Sequence, residues 1–269
     1  MVYVMSDIHG QYKMYSDIME QIQISDNDKF YILGDAIDRG NYGIEILCDI
    51  MSRKNVIYIM GNHDVMFLDV LETYGIENKG EEEDPVVKIW LLNGGAPTYE
   101  AFLKLSMSKR LEIFKFLKNC PYFAEETVDG RLFRLSHSYY DFDNIDENDR
   151  IRKDNNTWHR ITKGSSYLID RGIVIFGHTC VSQYHYNYTP YFEIDGIDAL
   201  WSEMFLRNPK PKKGFIGIDT GCAILGDEEG RKYFSSAVAG MGIGPRLTCL
   251  RLDDGEIYYA FYDWKNAKN

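Results

Sequence analysis

Basic charge is scarce in this chain. Only 30 Lys and Arg residues face 41 Asp and Glu, a formal net charge of −11 over 269 residues. Sequence-independent nucleic-acid binding rests on neutralising phosphates with Lys and Arg, so none is expected here. A local basic pocket for one phosphate group remains compatible with that balance. Cysteine is sparse too: Cys48, Cys120, Cys180, Cys222 and Cys249. The number is odd and no two stand at C-x-x-C spacing, which argues against a disulfide framework or a structural zinc site and fits a reducing compartment. No apolar run approaches the roughly 18–20 residues of a membrane span. No basic segment followed by an apolar one opens the sequence as given, so a secretory leader is not expected. A soluble cytoplasmic chain with no membrane partner is the expectation, and neither repeats nor low-complexity linkers interrupt it.

What is present is apolar residue in quantity. At 45% hydrophobic, the chain can bury a sizeable core. Its length fits one α/β domain over residues 1–269 with insertions. Met1 to Met5, Phe30 to Leu33 and Val56 to Met60 are short apolar runs and are expected to be buried strands. Between them, Tyr12 to Ile24 and Ile44 to Met51 carry apolar residues at helical spacing. This β-α-β-α-β opening points to a sheet with helical crossovers. Residues 86–118 are expected to be helical, broken at Asn93–Pro97, and form a helical insertion from about residue 79. Residues 80–84 are an acidic loop and 141–156 an Asp- and Asn-rich one. Arg131 to Leu135, Ile173 to Phe176, Phe215 to Ile218, Leu247 to Leu252 and Ile257 to Tyr262 are further strands.

Polar clusters sit at the ends of these runs. They are Ser6-Asp7-Ile8-His9-Gly10, Gly34-Asp35-Ala36-Ile37-Asp38-Arg39-Gly40, Gly61-Asn62-His63-Asp64, Ser136-His137 and Gly177-His178. Ligands of open α/β sheets collect beyond the carboxyl ends of strands, so these clusters should converge. Four of the six histidines lie in them; His159 and His185 do not. Imidazole and carboxylate oxygen together suit Mn²⁺, Fe or Zn²⁺. Taken singly, Asp7, Asp35 and Asn62 could merely cap the helices that follow.

As a set, the clusters resemble the metal-dependent phosphoprotein phosphatases of the calcineurin-like metallophosphoesterase superfamily. Within it, they are most similar to the bacterial and phage branch that includes the symmetrical diadenosine tetraphosphatases. Trp90-Leu91-Leu92-Asn93-Gly94-Gly95 and Ile218-Asp219-Thr220-Gly221-Cys222 also look like that branch. The resemblance implies two packed mixed β-sheets flanked by helices, with two divalent metals at one end, manganese foremost and iron or zinc as alternatives.

By position, the resemblance assigns Asp7 and His9 to the first metal, Asp35 to both, and Asn62, His137 and His178 to the second. A shared hydroxide would attack. His63 would be the general acid, oriented by Asp38, and Arg39 would grip phosphoryl oxygens. Arg160, beside Trp158, is the candidate second phosphate-binding arginine, although it could simply stack on that ring. Three features depart from the family pattern. Ser6 and Asp64 stand where Gly and Glu are usual, and are expected to affect loop geometry at most. A Gly-rich stretch from about residue 223 to 245 is an expected loop insertion.

The resemblance thus implies hydrolysis of phosphomonoesters on Ser, Thr or possibly Tyr of proteins, with a phosphoprotein or small phosphorylated substrate as partner. A dinucleoside polyphosphate is the alternative substrate. A metallophosphodiesterase is a further one, but the chain has Cys180 where such enzymes commonly place a second His after Gly177-His178-Thr179. A lone Cys is more often a small apolar residue than a ligand. An inactive binding relative would be expected to lack a ligand, and all six positions are filled.

Overall fold

The computed structural model describes residues 1–77, 84–140, 150–162, 172–183, 191–194, 197–198, 213–226 and 244–262. Its first half follows the alternation of apolar strand and amphipathic helix. Strand β1 (Val2–Met5) leads to helix α1 (Tyr12–Ile22), β2 (Lys29–Ile32), α2 (Gly43–Ser52), β3 (Val56–Tyr58) and α3 (Asn62–Tyr74). Three further helices follow: α4 (Pro85–Leu92), α5 (Ala96–Leu103) and α6 (Met107–Asn119). Then come β4 (Phe123–Val128), β5 (Arg131–Ser136), α7 (Arg150–Trp158), β6 (Gly172–Phe176), β7 (Tyr191–Ile194), β8 (Ile197–Asp198), β9 (Lys213–Gly217), β10 (Arg246–Arg251) and β11 (Ile257–Phe261).

The strands form two mixed sheets, in the orders β11-β10-β1-β2-β3 and β4-β5-β6-β9-β7-β8. In the first sheet β1, β2 and β3 are parallel, and β10 and β11 add antiparallel strands beside β1. The period-2 alternation of a strand places successive side chains on opposite faces. Val4, Tyr31, Leu33 and Ile59 accordingly meet Phe133, Leu135, Ile173, Ile175 and Ile216 between the sheets. Their neighbours Tyr3, Met5, Phe30 and Ile32 face outward onto Met14, Ile18, Ile46 and Ile50 of the helices. Val174, Phe176 and Phe215 line the outer face of the second sheet. The sheets are therefore covered on both sides of a shared core, as expected.

Local differences from expectation have identifiable causes. The helical stretch has a second break, where Ser106 caps α6 by accepting a hydrogen bond from the Lys109 amide at 3.3 Å. Strand β4 was not expected, because its two glutamates interrupt the apolar pattern; it pairs antiparallel with β5 across Asp129-Gly130. The later part of the expected loop 141–156 is helical, as α7. Its carbonyl at Asn156 accepts from the Ser138 amide at 2.8 Å and the Ser136 hydroxyl at 3.2 Å, tertiary bonds that local composition does not announce. Residues 78–83, 141–149 and 227–243 lie outside the described residues, and with them most of the acidic loop and of the 223–245 insertion. No helix among the described residues is long and apolar enough to cross a membrane.

Candidate functional site

The polar clusters that follow β1, β2, β3, β5 and β6 meet at one end of the two sheets. Their backbones are laced together. The amides of Asp7, His9 and Gly10 donate to the carbonyls of Gly34, Asp35 and Ala36 at 3.2, 2.8 and 2.9 Å, and the Gly177 amide donates to His137 at 2.8 Å. The loops approach so closely that only glycine fits where they cross. A Cβ on Gly61 would collide with the Asp35 carboxylate, and one on Gly177 with Asp7 and Ser6. Asp7, His9, Asp35, Asp38, Arg39 and His178 all have φ between 46° and 69°, the left-handed region that non-glycine residues avoid. Six such residues in one site are a concentration of backbone strain of the kind found at functional centres.

Asp7, His9, Asp35, Asn62 and His137 are buried, with His178 half-buried beside them. His9 Nδ1 lies 3.0 Å from the Ile37 carbonyl and His137 Nδ1 2.6 Å from the Leu33 carbonyl. A carbonyl can only accept, so each ring holds a proton on Nδ1 and turns Nε2 inward. Both Nε2 atoms then face Asp35 Oδ2, at 3.5 and 3.4 Å. His137 Nε2 also stands 3.0 Å from Asn62 Oδ1, which His178 Nδ1 approaches at 2.9 Å. Lone pairs converging on anionic and carbonyl oxygens are a donor set arranged for cations. Two groups of three satisfy the spacing for an ion among the described residues, His9–Asp35–His63 and Asp7–Asp35–His137, each with its ligand atoms within 4.8 Å of one another. Asp35 belongs to both.

The electrostatics agree with that reading. Burial pushes the Asp35 carboxyl up, but His137, His63, His9 and His178 outweigh it and hold the group below the usual carboxylate range. Burial, with Asp35 beside it, pushes Asp7 up. Burial lowers His178 to about 3, reinforced by His137, so that ring is neutral and able to ligate.

His63 is engaged differently. Its Nδ1 is 2.7 Å from Asp38 Oδ2, and its Nε2 is 3.1 Å from Arg39 Nη2. Burial opposes its protonation, yet Asp35 and Asp38 together raise it above an ordinary histidine. Arg39, occupying Nε2, makes His63 a poor third ligand despite its spacing. Arg160 is exposed at the rim, where Nη1 reaches Thr179 Oγ1 at 3.2 Å and the His178 carbonyl at 3.3 Å. The Trp158 ring turns its edge to His178, 6.1 Å between centroids. His159 packs on Tyr139 instead, and His185 lies outside the described residues.

Cys180 belongs to neither ion-sized group. Burial, with Asp219 nearby, pushes its thiol up to about 12, so it is not a thiolate at neutral pH.

Four supporting contacts have no counterpart in the sequence reading. Ser6 does more than shape its loop: its hydroxyl donates to Asp7 Oδ2. Asp64 accepts from the amides of Gly61 and Asp35 at 2.9 and 3.0 Å and from Tyr58 Oη at 2.8 Å, so it anchors the loop bearing Asp35. The Cys222 thiol donates to the Asp7 carbonyl at 2.7 Å, tying the loop after β9 to the loop after β1. The Trp90 indole donates to Asp38 Oδ2 at 2.7 Å. A buried Trp flanked by a Gly-Gly turn is the one sequence signal that could have drawn attention to the last of these.

Residues 1–219 match the family described as calcineurin-like phosphoesterase. The chain is 28% identical over 188 residues to a serine/threonine-protein phosphatase 2 of Salmonella typhimurium, covering 67% of this chain and 80% of the relative. It is 25% identical over 120 residues to a symmetrical bis(5'-nucleosyl)-tetraphosphatase of Coxiella burnetii, covering 44% of this chain and 35% of the relative. Its fold is similar to that of a metallophosphoesterase from Sphaerobacter thermophilus, with a TM-score of 0.55 at 12% identity over 97% of this chain and 89% of the other.

Proposed function

The chain belongs to the calcineurin-like phosphoesterase family, and from that premise we propose that it is a two-metal hydrolase of phosphomonoesters, acting on phosphoserine or phosphothreonine in proteins. Asp7, His9 and Asp35 would hold one divalent ion, and Asp35, Asn62, His137 and His178 the other, with manganese as the first expectation. The donor chemistry fits: imidazoles, two carboxylates and an amide oxygen turn toward shared points. When bound, such ions lower the pKa of water and polarise the phosphoryl oxygens.

The remaining chemistry falls to side chains. Arg39 would pair with the phosphoryl oxygens through its planar fork. Arg160, projecting from the rim, would add a second cation. His63 would hand a proton from Nε2 to the leaving oxygen while Asp38 keeps Nδ1 in place, the positioned acid that alkoxide departure requires. The observation that carries the reading is the Asp38–His63–Arg39 chain, which sets a proton donor and an anion-gripping cation side by side next to Asp35. A terminal phosphate dianion uses both; a diester has one anionic charge for the arginine to meet.

Likeness to a tetraphosphatase supports dinucleoside polyphosphate hydrolysis as the second reading. The deciding experiment incubates the Mn²⁺-loaded protein with phosphopeptides, diadenosine tetraphosphate and a bis-aryl phosphodiester. Phosphopeptide turnover should dominate. Preference for diadenosine tetraphosphate would install the second reading, and preference for the diester would overturn both.

A further inference from the structure

We propose that Trp90 is a positioning residue for the acid chemistry of His63, acting through Asp38. This rests on the reading of His63 as proton donor. The indole Nε1 donates to Asp38 Oδ2 at 2.7 Å, and His63 Nδ1 meets that same oxygen at 2.7 Å. The other oxygen, Oδ1, is buried with no hydrogen-bond partner among the described residues. Among the described residues, Trp90 and His63 are thus the side chains that hold this carboxylate, and both hold it by one atom. With the indole in place, rotating the carboxylate would strand two donors. Without it, rotation would strand only the imidazole that Asp38 is meant to orient.

The indole is itself fixed. It is fully buried, stacks on Phe67 with centroids 4.9 Å apart, and meets Tyr99 edge-on at 5.5 Å. A Cβ at Gly95 would collide with the indole, so the turn after α4 is moulded to this ring. The same turn reaches the site again, since the Gly94 carbonyl accepts from the Arg39 amide at 2.8 Å. Trp90-Leu91-Leu92-Asn93-Gly94-Gly95 is therefore a brace for Asp38 and Arg39 together. A Trp needing only a partner for its buried N–H would find any carbonyl sufficient; this one ends on the carboxylate behind the proton donor.

The test is a double-mutant cycle on the Mn²⁺-loaded protein with a phosphoserine peptide and 4-nitrophenyl phosphate. Trp90→Phe should lower kcat for the peptide by about tenfold, part of the 10²–10⁴ that general acid–base catalysis supplies. KM and metal content should hold, and the aryl substrate, which needs less protonation, should lose less. In a His63→Asn background Trp90→Phe should change nothing further. If Trp90→Phe does not fold, benzothienylalanine at position 90 removes the N–H while keeping the ring. By NMR on the protein loaded with diamagnetic Zn²⁺, the Nδ1 proton of His63 should lose protection from exchange in either form. Equal losses on both substrates for Trp90→Phe, or a further loss in the His63→Asn background, would overturn the inference alone. Equal losses on both substrates for His63→Asn by itself would overturn the reading of His63, and the inference with it.

Discussion

Arg39 and His63 share a hydrogen bond of 3.1 Å that joins a guanidinium nitrogen to the imidazole Nε2. A guanidinium has no acceptor, so Nε2 must offer its lone pair here. When neutral, His63 is therefore held in the free site as the Nδ1–H tautomer. A phosphoryl oxygen that draws Arg39 away would release Nε2 to carry a proton.

Arg39 should accordingly govern phosphate binding. Loss of a charge-assisted hydrogen bond to a buried anion is worth about 1.5–3 kcal/mol, or roughly 10–150-fold. Arg39→Ala should weaken inhibition by inorganic phosphate over that range. Arg39→Lys should recover only part of it, because the bidentate fork is lost. Arg160→Ala should have a smaller effect, since Arg160 is exposed and leans on the His178 carbonyl and the Thr179 hydroxyl. An unchanged inhibition constant in Arg39→Ala would remove the phosphate role.

Asp35 should be the residue on which metal loading depends most. Its Oδ1 accepts from the His63 amide at 3.0 Å, and its Oδ2 faces both His9 and His137. A ligand that binds only the folded state stabilises it by about 2.7 kcal/mol at 100 times its dissociation constant. Mn²⁺ should therefore raise the Tm of the native chain and leave that of Asp35→Asn almost unmoved. Two ions per chain in Asp35→Asn by elemental analysis would refute the bridging role.

Cys180→Ser should retain both metals and most phosphomonoesterase activity. The thiol is half-buried and receives the Ser182 hydroxyl at 3.2 Å, apart from the ion-sized groups. Loss of one equivalent of metal in this variant would make Cys180 a ligand after all.

Much of this arrangement could be read from the residues. Strands β1, β2 and β3 announce themselves as apolar runs stopped by Ser6-Asp7, Gly34-Asp35 and Gly61-Asn62, and strand ends are where such side chains gather. The clusters' convergence follows from parallel neighbours β1 and β2 ending level, with Met5 opposite Ile32. The rest depends on partners far away in sequence. Trp90 looks like any core Trp until its N–H is followed 52 positions back to Asp38. The short polar helix α7 has little intrinsic preference to form and relies on Ser136 and Ser138 donating to its Asn156 carbonyl. Positive φ at Asp35 or Arg39 is likewise invisible, because the side chain that the chemistry needs overrides what the backbone would choose.

That conflict bears on how the protein would respond to selection for heat resistance. Each non-glycine residue held in the left-handed region costs about 1–2 kcal/mol, and glycine at the same place relieves it. In the metal-free chain, the positions most open to thermal improvement thus include Asp7, His9, Asp35, Asp38, Arg39 and His178. A screen that rewards melting temperature and ignores turnover should drift into this site and dismantle it, as stability and activity commonly trade against each other. A naturally decayed copy, free of catalytic demand, would be expected to melt later than the metal-free form of the protein it came from.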